Sequence, residues 1–314
     1  MKYLLIINPK SGNRLQKTYE HRVRHYFEWY GIKTEVRYSE YPGHSTIIAR
    51  ESLNQGFDVI IGCGGDGTIN EVVNGLACSE QKMGIIPWGT GNVFAREMNF
   101  PLSLKKICKM IRKGRSVRID LGKAEDRYFL LMYSSGFDAY ALKHVERKGI
   151  KKIFGVFAYI IGAVKGFVRY RFPEINVEFE DNTTMTASMV VVSNTSRYGR
   201  YFKFSPTAIP VDGVLDLFIY KERGRWSLIK LFMRLLINSI TGNHRNTHYF
   251  FLKQHSYFKV RSIKISSVDT KYYSQLDGDL FNKQSVRISV EPKGVDMILP
   301  RSIIKMFSKK LLFK

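Results

Sequence analysis

The 314-residue chain is short of acid, of cysteine and of long apolar runs. Against 50 Lys+Arg stand only 27 Asp+Glu, a net charge of +23 that calls for an anionic partner or surface. Nucleic acid and acidic lipid headgroups both answer that description. Cys63, Cys78 and Cys108 are odd in number and lack metal-ligand spacing, which favours a reduced, cytosolic setting. No uninterrupted apolar run reaches the roughly 18 residues of a spanning helix, so any membrane would be met from its surface. Met1 to Ile7 opens an apolar strand rather than a signal-peptide core. No internal repeat or low-complexity tract is visible. What remains, 44% hydrophobic and 25% charged residues, is the composition of a folded globular chain long enough for two domains.

The informative stretch runs from Asp58 to Leu76. Val59, Ile60 and Ile61 form a short β-branched run, the signature of a buried parallel strand. Glycines then crowd the strand's carboxyl end, and Ile69, Val72, Val73 and Leu76 follow at helical spacing. Gly64, Gly65 and Gly67 let a ligand approach the backbone, and the N–H groups at the helix start make an anion site. Asp66 in their midst needs a cation between itself and any polyphosphate, and magnesium is the natural one. A tight turn capped by Thr68 would use some of the same residues. The full Gly64-Gly65-Asp66-Gly67-Thr68 string at a strand end favours phosphate.

The rest of the first third repeats the theme. Lys2–Ile7 reads as a strand opening on Asn8-Pro9-Lys10-Ser11-Gly12, a loop of the kind that binds ligands at the carboxyl edge of an α/β sheet. A helix is expected over Tyr19–Trp29, a strand over Ile32–Tyr38 and a helix over Ser45–Leu53. Met83–Pro87 is a further strand, opening on a second glycine loop, Trp88-Gly89-Thr90-Gly91-Asn92, before helical Val93–Arg96. Strands alternating with helices predict a doubly wound parallel α/β domain over residues 1–121. Beyond it, runs at Tyr128–Met132, Ile175–Phe179, Met185–Val192, Val214–Tyr220, Tyr257–Ile265 and Val286–Val290 predict an antiparallel β-sandwich over residues 122–291. Residues 292–314 are expected to pack back on the first domain.

Four segments concentrate the positive charge. Lys105–Arg118 holds seven basic residues and no acid, suiting a solvated helix face and an anion-facing one equally. Lys148–Arg171, Trp226–Ile240 and Arg301–Lys314 mix basic residues with aromatic or branched apolar ones, a pattern that fits either a protein core or a bilayer interface.

Taken together, Gly64–Thr68 with Glu71, Asn74 and Gly75, and Pro87-Trp88-Gly89-Thr90-Gly91-Asn92-Val93-Phe94-Ala95-Arg96, resemble the diacylglycerol kinase catalytic-domain family, which includes bacterial soluble diacylglycerol kinases and sphingosine kinases. Ser135-Gly136-Phe137-Asp138-Ala139, Pro206 with Ala208, Asp212-Gly213-Val214-Leu215-Asp216 and Asp277-Gly278-Asp279 carry the resemblance through the second half. It implies ATP held in a cleft between the domains and phosphoryl transfer to a lipid hydroxyl, diacylglycerol or a similar lipid, in phospholipid metabolism. It puts Asn8, Pro9, Lys10, Ser11, Gly12, Ser39, Gly64, Gly65, Asp66, Gly67, Thr68, Ile69, Asn70, Glu71 and Thr90 at the nucleotide, and Asp66 and Asp279 in catalysis. Asp277 is the rival for the base. The resemblance also implies a structural Mg2+ held by Asp212 with the backbone near Ile209 and Val214. The expected partners are the lipid substrate and an anionic membrane surface, reached peripherally from the cytoplasm. No nucleic acid is expected, and a homodimer stays open.

Two departures stand out. Relatives often carry an acid after Asn92 where this chain has Val93, and glutamate where it has Asp279. Three other readings remain open to the sequence: a kinase of NAD or another soluble alcohol, a nucleic-acid-binding protein, and a kinase-like binding protein without activity. Nucleic-acid binding would require stacking aromatics interleaved with basic residues, or a helix-turn-helix, and neither is evident.

Overall fold

The structure is a computed structural model and describes residues 1–11, 16–146, 167, 170–198, 202–203, 205–241, 255–269, 272–281 and 283–312. The chain divides into two compact units. The first comprises Met1–Leu121, Ile209–Gly213 and Glu291–Lys314, and the second Gly122–Ala208 and Val214–Val290.

In the first unit the chain alternates strand and helix: β1 (Lys2–Ile7), α1 (Gln16–Trp29), β2 (Lys33–Tyr38), α2 (His44–Glu51), β3 (Val59–Gly64), α3 (Asp66–Leu76) and β4 (Lys82–Pro87). Two further helices, α4 (Val93–Glu97) and α5 (Leu104–Lys113), follow. The strands pair in parallel in the order β2-β1-β3-β4. From β1 the chain goes first to one side and then to the other, so the topological switch point lies between β1 and β3. One face of this sheet buries Tyr3, Leu5, Ile7, Val59, Ile61 and Cys63 against Val23 and Phe27 of α1 and Ile107, Cys108 and Ile111 of α5. On α3, Val72, Val73 and Leu76 are fully buried. Gly75 is required by the neighbouring α2, since a Cβ there would lie 2.5 Å from the Thr46 carbonyl oxygen.

The second unit is antiparallel. Its strands are β5 (Ser116–Ala124, which begins in the first unit), β6 (Arg127–Phe129), β7 (Met132–Ser135), β8 (Ile175–Phe179), β9 (Thr184–Ala187), β10 (Met189–Ser193), β11 (Arg197–Tyr198), β12 (Phe202–Lys203), β13 (Leu215–Tyr220), β14 (His255–Val260), β15 (Ser262–Ser266), β16 (Ser274–Leu276), β17 (Asp279–Leu280) and β18 (Ser285–Ile298). One sheet runs β14-β13-β10-β7-β16-β17, and another joins β18, β15, β8 and β9. Val190, Val192, Leu215, Leu217 and Ile219 from the first sheet share a core with Ile175, Val177, Ile263, Ile265, Val286 and Ile288 from the second. That shared core is the layering of a sandwich. Among the described residues this unit also holds helices α6 (Phe137–Glu146) and α7 (Arg225–Thr241), while α8 (Arg301–Leu312) belongs to the first.

The expected parallel α/β half and antiparallel half are both present. Three expected single strands are each broken in two. Tyr128–Met132 divides at Leu130 and Leu131, whose N–H groups bond to a carboxylate instead of a neighbouring strand. Met185–Val192 divides at Ser188, and Tyr257–Ile265 divides at Arg261, where the chain leaves one sheet for the other. The basic segment from Lys105 resolves as α5, with Ile107, Cys108 and Ile111 buried and Lys105, Lys106, Lys109 and Lys113 facing outward. Most of Lys148–Arg171 lies outside the described residues.

Candidate active site

In the first unit the loops meet at the carboxyl ends of β1, β3 and β4. Asn8 leaves β1 and donates through its amide nitrogen to the Thr68 hydroxyl, 3.1 Å away, while its side-chain oxygen accepts the Lys10 N–H at 2.9 Å. The Ser11 hydroxyl lies 3.2 Å from the same Thr68 oxygen. The loop after β1 is therefore tied to the first turn of α3 across the switch point, where ligands of open α/β sheets bind. Thr68 is buried, and a Cβ on Gly64 would fall 2.6 Å from its side chain. Ser39, at the end of β2, is buried with its N–H on the Ile7 carbonyl. The Lys10 ammonium donates to the Glu40 carbonyl at 3.2 Å. Pro9 is exposed, and Gly12 lies outside the described residues.

The two glycine loops press on each other. A Cβ on Gly89 would stand 2.4 Å from the Gly65 Cα, and the Trp88 N–H bonds to the Gly64 carbonyl at 3.1 Å. Asn92 holds a left-handed conformation at φ 47°, and its amide donates to the Gly89 carbonyl at 2.7 Å. Thr90, at the tip of this second loop, is exposed. Asp66 spans the loops: one carboxylate oxygen accepts the Phe94 N–H at 3.1 Å, and the other faces Gly91, where a Cβ would lie 3.0 Å away. Asn92, the N-cap of α4, makes no capping side-chain bond, and Asp66 supplies one from another helix. Its second oxygen takes no hydrogen bond among the described residues and remains available to a cation.

Glu71 is turned elsewhere. Its two carboxylate oxygens accept the N–H groups of Gly43 at 2.8 Å and Ser45 at 3.2 Å, so it caps α2. Ile69 and Asn70 are buried in α3, and the Asn70 carbonyl accepts from the Asn74 amide. These three residues build the wall behind the loop rather than its surface.

In the turn 209–214, Ile209 is buried and its carbonyl accepts the Val211 N–H at 2.9 Å. Asp212 and Val214 are half-buried. The turn hangs on a residue the sequence did not single out. Buried Asp120 accepts the Gly213 N–H at 2.7 Å and the Lys293 N–H at 2.8 Å, and its own N–H donates to the Pro210 carbonyl. No cluster of three or more His, Cys, Asp or Glu fit to hold a metal occurs among the described residues. Asp216 accepts from the Lys259 ammonium at 2.6 Å and the Thr207 hydroxyl at 2.7 Å, an internal pair.

In the second unit Asp277 and Asp279 have opposite surroundings. Asp277 and Gly278 form the two-residue loop between β16 and β17, both at positive φ (50° and 92°), as a type I′ turn requires. The Asp277 carboxylate accepts three backbone N–H bonds, from Leu130 at 2.7 Å and from Leu131 and Met132 at 2.9 Å. Asp279 is about half exposed (51%) and has one oxygen 3.3 Å from the Arg127 guanidinium. Of the two, Asp279 is the one whose carboxylate is not held by a set of backbone N–H groups. Nearby, the Tyr133 and Tyr272 hydroxyls sit 2.6 Å apart, and burial pushes both pKa values up, so they act as neutral hydrogen-bonding groups. Arg127 and Asp120 gave no sequence signal, because the partners of each arrive from far along the chain.

Residues 2–124 match the family described as Diacylglycerol kinase catalytic domain, and residues 132–299 match the YegS C-terminal NAD kinase beta sandwich-like domain. A diacylglycerol kinase of Staphylococcus saprophyticus is 30% identical over 90% of this chain and 93% of its own. The diacylglycerol kinase of Bacillus subtilis is 30% identical over 88% of each. A crystal structure of a diacylglycerol kinase from Bacillus anthracis shares the fold with a TM-score of 0.70 at 23% identity, covering 96% of this chain and 98% of that one.

Proposed function

Because this chain belongs to the diacylglycerol kinase family of lipid kinases, we propose that it transfers the γ-phosphoryl group of ATP to the hydroxyl of diacylglycerol or a closely similar lipid. The observation that carries the nucleotide half of this reading is the interlock of the two glycine loops. They set the start of α3, whose N-terminus favours anions, at one point beside a carboxylate with an oxygen to spare. Asn8, Ser11, Thr68 and Thr90 supply neutral donors around that point, and Lys10 adds a charge. Pro9 stiffens the loop, and Ser39 and Glu71 hold its outer wall.

The residues suit magnesium at two places. Asp66 offers an oxygen ligand at the phosphates, and Asp212 with the carbonyls of Ile209 and Val214 offers an oxygen-only set to an ion that keeps several waters. Magnesium, when bound, supplies positive charge to the phosphate oxygens. The protein's own part is positioning and proton transfer. Asp279 accepts the proton of the lipid hydroxyl as its oxygen attacks the γ-phosphorus. The bond from that phosphorus to the bridging oxygen breaks, and ADP leaves with the electron pair.

The lipid is reached from the membrane surface. Helix α7 presents Trp226 (77% exposed), Ile229 and Met233 with Arg225, Lys230 and Arg234 on its open side, and buries Leu228 and Leu231 on the other. No acid occurs on this helix. Apolar and basic side chains on one face fit an anionic interface, with each Lys or Arg near it contributing on the order of 1 kcal/mol. Among the described residues no helix is long and apolar enough to cross a membrane.

Radiolabelled ATP mixed with total lipid extract tests both the activity and the acceptor. The expected result is label in a phosphatidic-acid-like product, lowered by orders of magnitude in a folded Asp66→Asn variant. Label in no lipid fraction, or a full rate in Asp66→Asn, would overturn the reading.

A further inference from the structure

Beneath the turn that carries Asp279 lies a chain of buried polar groups that the reaction itself does not use. Asp138, in the first turn of α6, is 2% exposed, and Ser134 and Gln275 are buried beside it. The Ser134 hydroxyl donates to an Asp138 carboxylate oxygen. The Gln275 amide nitrogen donates to the Ser134 oxygen at 2.5 Å and approaches the same Asp138 oxygen at 3.4 Å. The Gln275 carbonyl oxygen then accepts the Gly278 N–H at 2.7 Å. Gly278 is the residue before Asp279.

We infer that Asp138 is a positioning residue for the phosphoryl transfer, fixing through Ser134 and Gln275 the turn that presents Asp279. The directions of the bonds support this. Ser134 donates to Asp138 and so presents its lone pair to Gln275. That sets the Gln275 amide nitrogen toward the interior and leaves its carbonyl no choice but to face Gly278. With a neutral partner at position 138 the hydroxyl could rotate and the amide could flip, and Gly278 would lose its acceptor. A carboxylate buried this deeply costs stability unless it is bonded, so its placement against the base-bearing turn calls for a use. The reach of Asp279 is short, with a single methylene between backbone and carboxyl. A turn displaced by about 1 Å therefore moves the base out of line, a misplacement that costs roughly a hundredfold in rate.

This inference rests on Asp279 as the base, and the test separates the two. Full-length wild type, Asp138→Asn, Gln275→Met and Asp279→Ala are assayed with ATP-Mg2+ and diacylglycerol in anionic vesicles, with thermal denaturation alongside. Asp138→Asn should lower kcat tenfold or more and leave the KM for ATP within twofold. Lengthening the base by Asp279→Glu in the Asp138→Asn background should shrink that penalty at least threefold, because the longer side chain tolerates a looser turn. A loss of stability alone would not respond to Asp279→Glu. If Asp138→Asn does not fold, the same pattern is required of Gln275→Met, which keeps the volume and removes both bonds. An inactive Asp279→Ala with kcat unchanged in folded Asp138→Asn, or an equal penalty with Asp279 and its glutamate variant, overturns the positioning role alone. A fully active Asp279→Ala overturns the base assignment and this inference with it.

Discussion

The contact between the two glycine loops can be tested by adding one carbon at each of two places. At Gly89 the new Cβ would lie 2.4 Å from the Gly65 Cα and 3.1 Å from its nitrogen. Ordinary contact begins near 3.4 Å. The Asn92 side-chain oxygen, 3.0 Å away, could shift, but the Gly65 backbone cannot swing aside, so the loops must separate by about 1 Å. Overpacking of this kind costs about 1–3 kcal/mol. The unliganded protein relieves it by letting the loops part, and ATP must close them again. Since every 1.4 kcal/mol is tenfold in affinity, Gly89→Ala should raise the Kd for ATP-Mg2+ by about 5- to 150-fold. Gly67→Ala is the contrasting case. It sits inside α3 with no atom within 4 Å of the added Cβ and no positive φ. Alanine is favoured there by about 1 kcal/mol, raising Tm by roughly 2–4 °C. The space it fills is where phosphate would approach, so affinity for ATP should still fall. Calorimetric titration of ATP-Mg2+ and thermal denaturation read both quantities. If Gly67→Ala stabilises the fold and leaves the Kd unchanged, phosphate does not approach α3 here. If Gly89→Ala leaves Kd and Tm unchanged, the loop interlock has no energetic weight.

Three further outcomes are expected. Asp277→Ala strands three buried N–H groups at about 1–3 kcal/mol each and should fail to fold stably, whereas Asp279→Ala, at a half-exposed site, should melt within a degree or two of wild type and lose turnover. Trp226→Ser with Lys230→Glu should weaken co-sedimentation with anionic vesicles and leave ATP affinity intact, and wild-type binding should fade as added salt shortens the Debye length. Among the cysteines, exposed Cys78 should react with a water-soluble thiol reagent at pH 8. Burial raises the Cys108 pKa to about 12 and pushes Cys63 up as well, so neither should react until the protein unfolds.

Legibility in the sequence followed the range of the interactions. The β3 strand, glycine loop and α3 could be read because each rests on neighbours in sequence: a β-branched run, clustered glycines and helical spacing. The division of residues around the glycine loop could not. Glu71 looked like part of the nucleotide site, but its carboxylate answers the N-terminus of α2, formed by residues some 26 to 28 positions earlier. Asp277 and Asp279 are indistinguishable as letters and separate only when Leu130 to Met132 arrive from the other side of the chain. Those same distant bonds broke the strand expected over Tyr128–Met132. Nothing around Ile209–Gly213 marks it for the first unit, because its tether is the side chain of Asp120, 93 residues from Gly213. Helix α6 was missed because its sequence has little apolar periodicity and its buried polar residue, Asp138, looks like a surface acid.

Strand β18 begins in one unit and ends in the other, and near its end Asp296 and Met297 pair in parallel with Lys82 and Met83 of β4. A protein cut after Leu121 would therefore expose the outer edge of β4, with its unpaired backbone groups, to any passing strand. Such a fragment is expected to aggregate rather than to fold as a nucleotide-binding module. Adding Glu291–Lys314 back as a separate peptide should rescue it. During synthesis the same dependence delays completion of the first sheet until the ribosome has passed Met297. Nascent chains of intermediate length would thus rely on chaperones to keep that edge covered.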